Sequence, residues 1–262
     1  MTEDNRHDVA GTKALTIMDD GIELRAELDM PENPEGKIPV AVMIHGFTGY
    51  KEEWHILQVS KALTEAGFAV LRADMYGHGK SGGEFRKHTL FKWMGNAVTL
   101  IDYARGLPFA SDIYLCGHSQ GGLTAMLAAG LKHDQIKGLI ALSPACMIPE
   151  EARKGCLLWQ EFDPENIPET LPAWNDNVLD GNYVRVAQTI HVEEYIDRYD
   201  GPVLIVHGDN DGAVPVEHGR NAAKRYRNCE LVIIPGDDHC YAFHLDQVTE
   251  AVKNWALRQK NS

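Results

Sequence analysis

The segment 117–121, with the sequence Gly-His-Ser-Gln-Gly, constrains this chain more than any other feature. It fits the pattern Gly-x-Ser-x-Gly, follows the apolar run 113–116 and precedes the helix-like run 123–129. A strand, a sharp turn and a helix in direct succession present a serine hydroxyl above the edge of a sheet. Glycines suit such a turn because side chains have almost no room there. The pattern indicates a nucleophilic serine at Ser119, and the alternative is a glycine-rich turn whose serine has no role.

Strand-like and helix-like segments alternate along most of the chain. The strand-like runs are 15–18, 22–28, 40–44, 69–73, 113–116, 138–142, 203–206 and 231–234. The helix-like segments are 53–66, 91–105, 123–129, 217–226 and one that ends near Leu257. This alternation predicts the α/β class, with a mostly parallel central sheet flanked by helices. The acidic-Gly turn at 19–21 predicts that the first two strands form a hairpin.

The regular alternation is interrupted after Pro144. From there to about Gly201 the chain is richer in proline and aromatic residues. We interpret 144–201 as a lid inserted into the core, which then comprises 14–143 and 202–262, preceded by an N-terminal arm over 1–13. The alternative is a surface excursion without a role.

The charge of the chain excludes two classes of partner. Its 25 basic and 38 acidic residues give a formal net charge of −13 among 262 residues. Nucleic acid and anionic membranes both require a basic surface, so neither is expected as the main partner. The oligomeric state is left open, a homodimer included.

The cysteines and the termini predict the compartment. The five cysteines are scattered, and no Cys-x-x-Cys occurs. This pattern predicts reduced thiols in a cytoplasmic protein. The polar segment 1–13 does not resemble a secretory signal, and no apolar run approaches the length of a membrane span.

Two loops downstream of Ser119 can supply the groups that a nucleophilic serine needs, which are a base and a carboxylate that orients it. The loop 207–211 reads His-Gly-Asp-Asn-Asp, and the loop 235–239 reads Pro-Gly-Asp-Asp-His. Each follows a strand-like run, and loops at strand ends gather at the site of an open parallel sheet. The order serine, acid, histidine is that of α/β-hydrolases. We therefore predict a catalytic triad of Ser119, Asp211 and His239.

Other residues compete for two of these roles. Asp209 is the alternative acid, and its other role would be to cap the turn through its own side chain. His218 and His244 are alternative bases. Both lie in helix-like sequence, where a solvated or packed imidazole is the simpler expectation.

An oxyanion hole requires two backbone N–H groups aimed at the developing negative charge. The N–H of Gln120, the residue after the nucleophile, is the first candidate. The second is the N–H of Phe47, in the glycine-containing loop 45–49 after the first buried strand. His45 is expected to support the site as a neutral imidazole. The alternative for this loop is a plain turn that ends a strand.

The segment 74–81, Asp-Met-Tyr-Gly-His-Gly-Lys-Ser, imitates two nucleotide-binding motifs without matching either. A P-loop requires glycine at the position of Asp74, and the glycine spacing is wrong for a dinucleotide fingerprint. We interpret the segment as a turn that borders the site. The histidines and cysteines form no metal-binding motif. No cofactor and no metal are therefore expected.

Taken together, several stretches resemble the bacterial feruloyl (cinnamoyl) esterases of the α/β-hydrolase superfamily. They are 45–49, 72–81, 117–122 and 207–211, with the more specific lid stretches 162–168 and 181–190. The likeness runs from about residue 14 to the C-terminus. It implies the α/β-hydrolase fold, with a lid after the sixth strand. It also implies hydrolysis of hydroxycinnamate esters (ferulate, p-coumarate and caffeate types) from plant cell wall. In this family the acid is the second aspartate of Gly-Asp-x-Asp, which matches Asp211, and the histidine matches His239.

The aromatic residues of the lid suggest the shape of the substrate. Trp159, Trp174, Phe162 and Tyr183 are candidates to bracket a flat aromatic acyl group, and packing within the lid is the alternative for each. A lipase-like or monoacylglycerol esterase with the same triad is the rival enzyme. A binding module without catalysis is disfavoured because all three triad residues are present. A dehalogenase is disfavoured because it needs a carboxylate in place of Ser119.

Overall fold

The computed structural model describes residues 11–174 and 176–260. The strands in this part of the chain are β1 (Lys13–Asp19), β2 (Ile22–Asp29), β3 (Ile38–Ile44), β4 (Ala69–Ala73), β5 (Ala110–His118), β6 (Ile136–Leu142), β7 (Cys156–Leu157), β8 (Gln160–Glu161), β9 (Thr170–Pro172), β10 (Val178–Asp180), β11 (Val203–Gly208) and β12 (Cys229–Ile234). The α-helices are α1 (Trp54–Glu65), α2 (Leu90–Arg105), α3 (Gln120–Leu131), α4 (Ile148–Lys154), α5 (Asn182–Gln188), α6 (Val192–Arg198), α7 (Val216–Arg225) and α8 (Leu245–Lys260). The last helix therefore continues beyond the predicted end near Leu257.

Eight strands form the central sheet, in the order β1-β2-β4-β3-β5-β6-β11-β12. The predicted hairpin is present: β1 and β2 are antiparallel, with Asp19 opposite Ile22. Asp20 and Gly21 both have positive φ at its tip, as a two-residue type I′ turn requires. Strand β2 is antiparallel to β4, and all the later strands of the sheet are parallel. The predicted mostly parallel sheet of the α/β-hydrolase fold is confirmed.

Strand β3 is fully buried between two apolar layers. Val40, Val42 and Ile44 belong to the cluster that contains residues of α2 and α3. Ala41 and Met43, which alternate with them, belong to the opposite cluster, with residues of α1 and α8. Because successive side chains of a strand point to opposite faces, a strand covered on both faces must be apolar throughout. This explains the continuous apolar run that the sequence shows here.

The strand order reverses at β3. The chain passes from β3 to β4 on one side and then reaches β5 on the other, so that β3 lies between them. In an open α/β sheet, the crevice outside the carboxyl ends of the strands at such a reversal is where ligands bind. The loops that follow β3 and β5 therefore meet at one place, which positions the candidate site.

The segment between β6 and β11 holds short elements instead of a strand of the main sheet. Helix α4 is followed by the small hairpins β7–β8 and β9–β10 and by helices α5 and α6. Val192 and Ile196 of α6 belong to the same apolar cluster as α3. The predicted lid over 144–201 thus includes helices that pack into the same apolar cluster as the core, since α4 and α5 also contribute residues to it.

The described part of the chain begins within the predicted N-terminal arm. Residues 1–10 of the predicted N-terminal arm lie outside the described residues, and Lys13 is already the first residue of β1. In the two described ranges, none of the helices combines the length and the apolar character that a membrane crossing requires.

Candidate active site

Ser119 stands at the sharp turn between β5 and α3. Its φ of 57° and ψ of −121° lie outside the regions that L-residues commonly adopt. The backbone is fixed there by three hydrogen bonds. The Ser119 N–H donates to Leu142 O (2.9 Å), and Ser119 O accepts from the N–H groups of Leu123 (3.0 Å) and Ala145 (3.1 Å). Strain of this kind persists only where the surroundings hold it, and it is concentrated at functional sites.

The two glycines of the pentapeptide are required by close packing. A Cβ on Gly117 would overlap the backbone of Gly121, and a Cβ on Gly121 would overlap the carbonyl groups of Ile44 and His45. Helix α3 consequently begins directly against the end of β3. Residue types other than glycine at these positions would push the helix away from the sheet and displace Ser119.

The loop after β3 lies against the serine. A Cβ built on Gly46 would be 3.2 Å from Ser119 Cβ. Thr48 has a φ of 60°, and Gly49 N–H donates to Gly46 O at 3.1 Å, so the loop turns tightly. Phe47 and Gln120 both line the cavity that contains Ser119. Gln120 is the first residue of α3, where amide groups have no acceptor within the helix. The two predicted oxyanion-hole residues are thus brought to one place beside the serine.

Asp211 and His239 are in direct contact. His239 Nδ1 donates to Asp211 Oδ2 at 2.7 Å. The other carboxylate oxygen of Asp211 accepts from the N–H groups of Ala213 (2.9 Å) and Val214 (2.8 Å). Strands β11 and β12 are neighbours, with Gly208 opposite Ile234, so the loops that follow them lie side by side. His239 and Ser119 line the same cavity.

The carboxyl group of Asp211 is held in its ionised form. Burial by itself would raise its pKa, but hydrogen bonds from His207 and His239 outweigh burial and hold the pKa well below its usual range. His207 is fully buried, and its Nε2 lies 3.3 Å from Asp211 Oδ2 and 2.9 Å from Val214 O. An ionised carboxylate at this position accepts the Nδ1–H of His239, which leaves Nε2 of that ring free to act as a base.

Asp209, the competing acid, has a different partner. Its Oδ1 accepts from Gly236 N at 2.6 Å. This hydrogen bond connects the loop that carries His239 with the loop that carries Asp211. The Asp209 side chain does not cap its own turn, as the alternative interpretation expected.

The histidines in contact with Asp211 are His239 and His207, and the competing histidines have other surroundings. His218 is in helix α7, as expected. His244 lies in the turn just before α8, so its predicted helical position is wrong; its N–H donates to Asp237 Oδ2 at 3.1 Å. His45 is buried beneath the site, and its Nε2 accepts from Met75 N at 3.0 Å. Burial, with smaller effects from neighbouring histidines, lowers the pKa of His45 to about 3, which keeps the ring neutral.

Two buried histidines, His118 and His55, form a hydrogen-bonded chain that ends at the backbone of His239, and the sequence did not reveal this chain. His118 Nε2 donates to the backbone carbonyl of His239 at 2.8 Å. His118 Nδ1 in turn accepts from His55 Nε2, at 3.2 Å, on helix α1. Burial, followed by the neighbouring histidines, lowers the pKa of His118, and burial lowers that of His55 to about 4. Neutral rings with one donor and one acceptor each can form this chain, and two charged rings could not.

A cavity of about 490 Å³ opens onto Ser119. This volume is typical of a small-molecule site. Much of its wall comes from the segment between β6 and β11, and it includes Ile148, Leu157, Leu158, Trp159, Trp174 and Tyr183. The site therefore combines a candidate nucleophile with a largely apolar cavity.

The aromatic residues predicted to contact the substrate have different environments. Trp159 and Trp174 are 64% and 53% exposed and are in contact, with ring centroids 4.7 Å apart and the ring planes tilted by 58°. Trp159 lies at the tip of the β7–β8 hairpin, where Leu158 and Trp159 both have positive φ. Tyr183 is buried and donates from its hydroxyl to Gln120 Oε1 at 2.6 Å. Phe162 packs against the apolar core.

The fold and the site define a serine hydrolase of the α/β-hydrolase superfamily. Residues 37–184 match the Hydrolase_4 family model, described as serine aminopeptidase, S33, and the chain belongs to this family. Residues 167–255 match a second model, Abhydrolase_4, described as TAP-like protein.

Among solved structures, the chain is similar to Est1E from Butyrivibrio proteoclasticus with ferulic acid bound. The identity is 59%, the match covers 95% of this chain and 100% of that chain, and the TM-score is 0.94. A further Est1E structure is 57% identical, with 95% of this chain and 99% of that chain covered and a TM-score of 0.90. These comparisons confirm the superfamily and the resemblance predicted from the sequence.

Curated relatives are more distant. The bifunctional esterase/perhydrolase DCH of Acinetobacter calcoaceticus is 25% identical over 241 residues, which is 77% of this chain and 85% of that protein. Human protein ABHD12B is 25% identical over 213 residues, which is 77% of this chain and 56% of that protein. The chain thus spans little more than half the length of ABHD12B.

Proposed function

We propose that this protein is a serine carboxylic-ester hydrolase that cleaves hydroxycinnamate esters through an acyl-enzyme intermediate. The observation that carries the proposal is the cavity, which is lined by aromatic and aliphatic side chains and contains both Ser119 and His239. A flat, apolar acyl group fits such a wall. The relative Est1E, 59% identical, holds ferulic acid in its structure, which supports an acyl group of this type.

The proposed reaction uses the contacts described above. His239 Nε2 removes the proton from Ser119 Oγ as this oxygen attacks the ester carbonyl, and the ionised Asp211 stabilises the imidazolium that forms. The N–H groups of Phe47 and Gln120 receive the negative charge of the carbonyl oxygen. His239 then donates its proton to the departing alcohol, which leaves the acyl group on Ser119. A water molecule, activated by the same histidine, releases the acid and restores the serine.

Gln120 is held in place by the segment between β6 and β11. Its side-chain oxygen accepts the hydrogen bond from Tyr183 of α5, and both residues are buried. We propose that this segment, 144–201, acts as the lid of the acyl cavity and that Tyr183 couples it to the oxyanion hole.

The location of the protein is part of the same proposal. All five cysteines lie within the described residues and are unpaired. Unpaired thiols suit a reducing compartment, so we propose a cytoplasmic location.

A panel of esters tests the proposed substrate class. We expect the kcat/KM for methyl ferulate, methyl p-coumarate and methyl caffeate to exceed that for long-chain p-nitrophenyl esters. The apolar wall would then be matched to a flat ring instead of a flexible chain. Preference for long acyl chains would contradict the proposal and favour the lipase-like enzyme. Hydrolysis of none of these esters would contradict both.

Replacement of Trp174 by alanine tests the wall of the acyl cavity. Trp174 lines the cavity and contacts Trp159, so its loss should remove apolar contact with the ring of a hydroxycinnamate. We expect the kcat/KM for methyl ferulate to fall by about 10–200-fold relative to that for p-nitrophenyl acetate. The small acetyl group does not reach this wall and serves as the control. Equal losses on both esters, together with a lower melting temperature, would show that Trp174 only packs the hairpins.

A further inference from the structure

The cavity has a second, more polar end. The loop after β3 and the loop after β12 contribute Thr48, Glu53, His239 and Cys240 to its wall. Most of the aliphatic side chains of the wall and both of its tryptophans come from the segment between β6 and β11, which also contributes Glu151, and Ala213 and Val214 follow β11. The two parts of the wall therefore differ in their share of apolar side chains, and Ser119 lies in the same cavity.

The proposed mechanism assigns a part of the substrate to each end. His239 must donate its proton to the oxygen of the departing alcohol, so the alcohol lies on the side of His239. Glu53 is close to that side. Burial, and then the nearby Glu53 carboxylate, raise the pKa of the adjacent Cys240 to about 11. Glu53 also precedes helix α1, whose His55 is connected through His118 to the backbone of His239.

Glu53 is a carboxyl group that lacks a cationic partner among residues 11–174 and 176–260. The Nζ of the neighbouring Lys51 forms ion pairs with the carboxylates of Glu27 (3.4 Å), Glu52 (3.2 Å) and Asp74 (3.5 Å). In the described part of the chain, no basic group forms an ion pair with the Glu53 side chain. The carboxyl group packs against Gly49, where a Cβ would overlap it. Burial raises the pKa of Glu53 to about 7, a hydrogen bond with the backbone of Tyr50 opposes this, and Asp74 adds to the rise.

A half-buried carboxyl group of this kind favours one type of ligand. A polar group at the wall of a cavity gains from a hydrogen-bonding partner, and a hydroxyl group can donate to a carboxylate or accept from a carboxylic acid. An anionic ligand would be repelled by the ionised form of Glu53, and the net charge of −13 adds to this repulsion at longer range.

We propose that Glu53 forms a subsite for the alcohol part of the ester, which binds the hydroxyl groups of a neutral polyol and disfavours an anionic alcohol. Tyr50 and Trp54, close to Glu53 in the chain, are exposed aromatic residues of the kind on which a sugar ring packs. The inference rests on the proposed ester hydrolysis, and it concerns the alcohol independently of the acyl group.

The experiment compares alcohols at a constant acyl group. The kcat/KM is measured for feruloyl glycerol, methyl ferulate and feruloyl quinate, which carry a neutral polyol, no hydroxyl group and an anionic polyol. In Glu53→Ala, the preference for the glycerol ester over the methyl ester should fall by about 10–100-fold, the range for the loss of one buried polar contact. In Glu53→Gln, more of the kcat/KM for the glycerol ester should be retained than in Glu53→Ala. The kcat/KM for the quinate ester should rise relative to that for methyl ferulate. A purely structural role would not change these ratios in opposite directions.

Glu52→Gln is the matched control. Glu52 is the neighbouring carboxylate, and it pairs with Lys51 and Lys80. Its replacement should leave both ratios, of the glycerol ester and of the quinate ester to methyl ferulate, unchanged. The Glu53 variants are expected to fold, because the Glu53 side chain makes no capping hydrogen bond to helix α1. Melting temperatures check this expectation.

Two results would overturn the inference. The first is a ratio of glycerol to methyl ester that stays within about twofold of the wild type in Glu53→Ala, an equal loss on both esters included, and the second is a quinate ester that does not improve relative to methyl ferulate in Glu53→Gln. If the enzyme does not accept the feruloyl group, the same alcohols are compared as acetate esters. The proposed function then fails while the alcohol subsite is still measured.

Discussion

Replacement of Ser119 by alanine is expected to lower kcat by about 10⁶-fold, because the serine, histidine and aspartate act as a unit and the loss of the nucleophile removes nearly all of their effect. The fold should be retained. Alanine keeps the Cβ that the turn already accommodates at a φ of 57°, and the hydrogen bonds that hold the turn are made by the backbone of Ser119. The measurements are the kcat for methyl ferulate and the melting temperature.

A serine on the same strand provides the control for this variant. Ser111 lies near the beginning of β5 and is exposed, far along the strand from the turn. Ser111→Ala should leave both kcat and the melting temperature unchanged. The assignment of Ser119 as the nucleophile would be wrong if the purified Ser119→Ala protein kept more than about a tenth of the wild-type kcat. Removal of a triad nucleophile lowers kcat by far more than tenfold.

Replacement of Asp211 by asparagine is expected to cost about 10⁴ in kcat, through the wrong tautomer of the histidine. The backbone N–H groups of Ala213 and Val214 both donate to Asp211 Oδ1, so the asparagine oxygen should take that position. The amide nitrogen would then face His239 Nδ1, in place of the oxygen that accepts its hydrogen bond at 2.7 Å. The ring would keep its proton on Nε2, where a base is needed.

Asp209→Asn is the matched variant, from a carboxylate two positions earlier on the same loop. Its hydrogen bond from Gly236 N can be accepted by an amide oxygen as well, so the expected loss of kcat is small. Both variants are compared by kcat on the same ester and by melting temperature. A larger loss in Asp209→Asn than in Asp211→Asn would transfer the role of the acid to Asp209.

The candidate residues were accessible from the sequence because their signals are local. The glycines around Ser119 are required by contacts with the backbone of the same turn and of β3. The short pattern Gly-x-Ser-x-Gly is therefore enough to identify the turn. Asp211 and His239 each follow an apolar strand directly, so the sequence places both at strand ends. The parallel sheet then brings such ends to one edge.

The supporting contacts were not accessible, because they join residues that are distant in the chain. His118 reaches the carbonyl of His239 across 121 positions, and its only signal was its place inside the Gly-x-Ser-x-Gly pattern. Asp209 was expected to cap its own turn, but its partner is Gly236 in the next loop. Glu53 was interpreted as the start of a helix, and its place in the cavity wall had no signal in the sequence.

The sequence by itself determined the α/β class, the hairpin at 19–21, the turn at Ser119 and the loops of Asp211 and His239. Apolar periodicity and turn chemistry act over a few residues and can therefore be read along the chain. The tertiary structure alone decided that β3 lies between β4 and β5, that Tyr183 bonds Gln120, and that Glu53 lies in the wall of the same cavity as Ser119 and His239. These features depend on which strands pair and which faces are buried, and many alternative pairings satisfy the same local pattern.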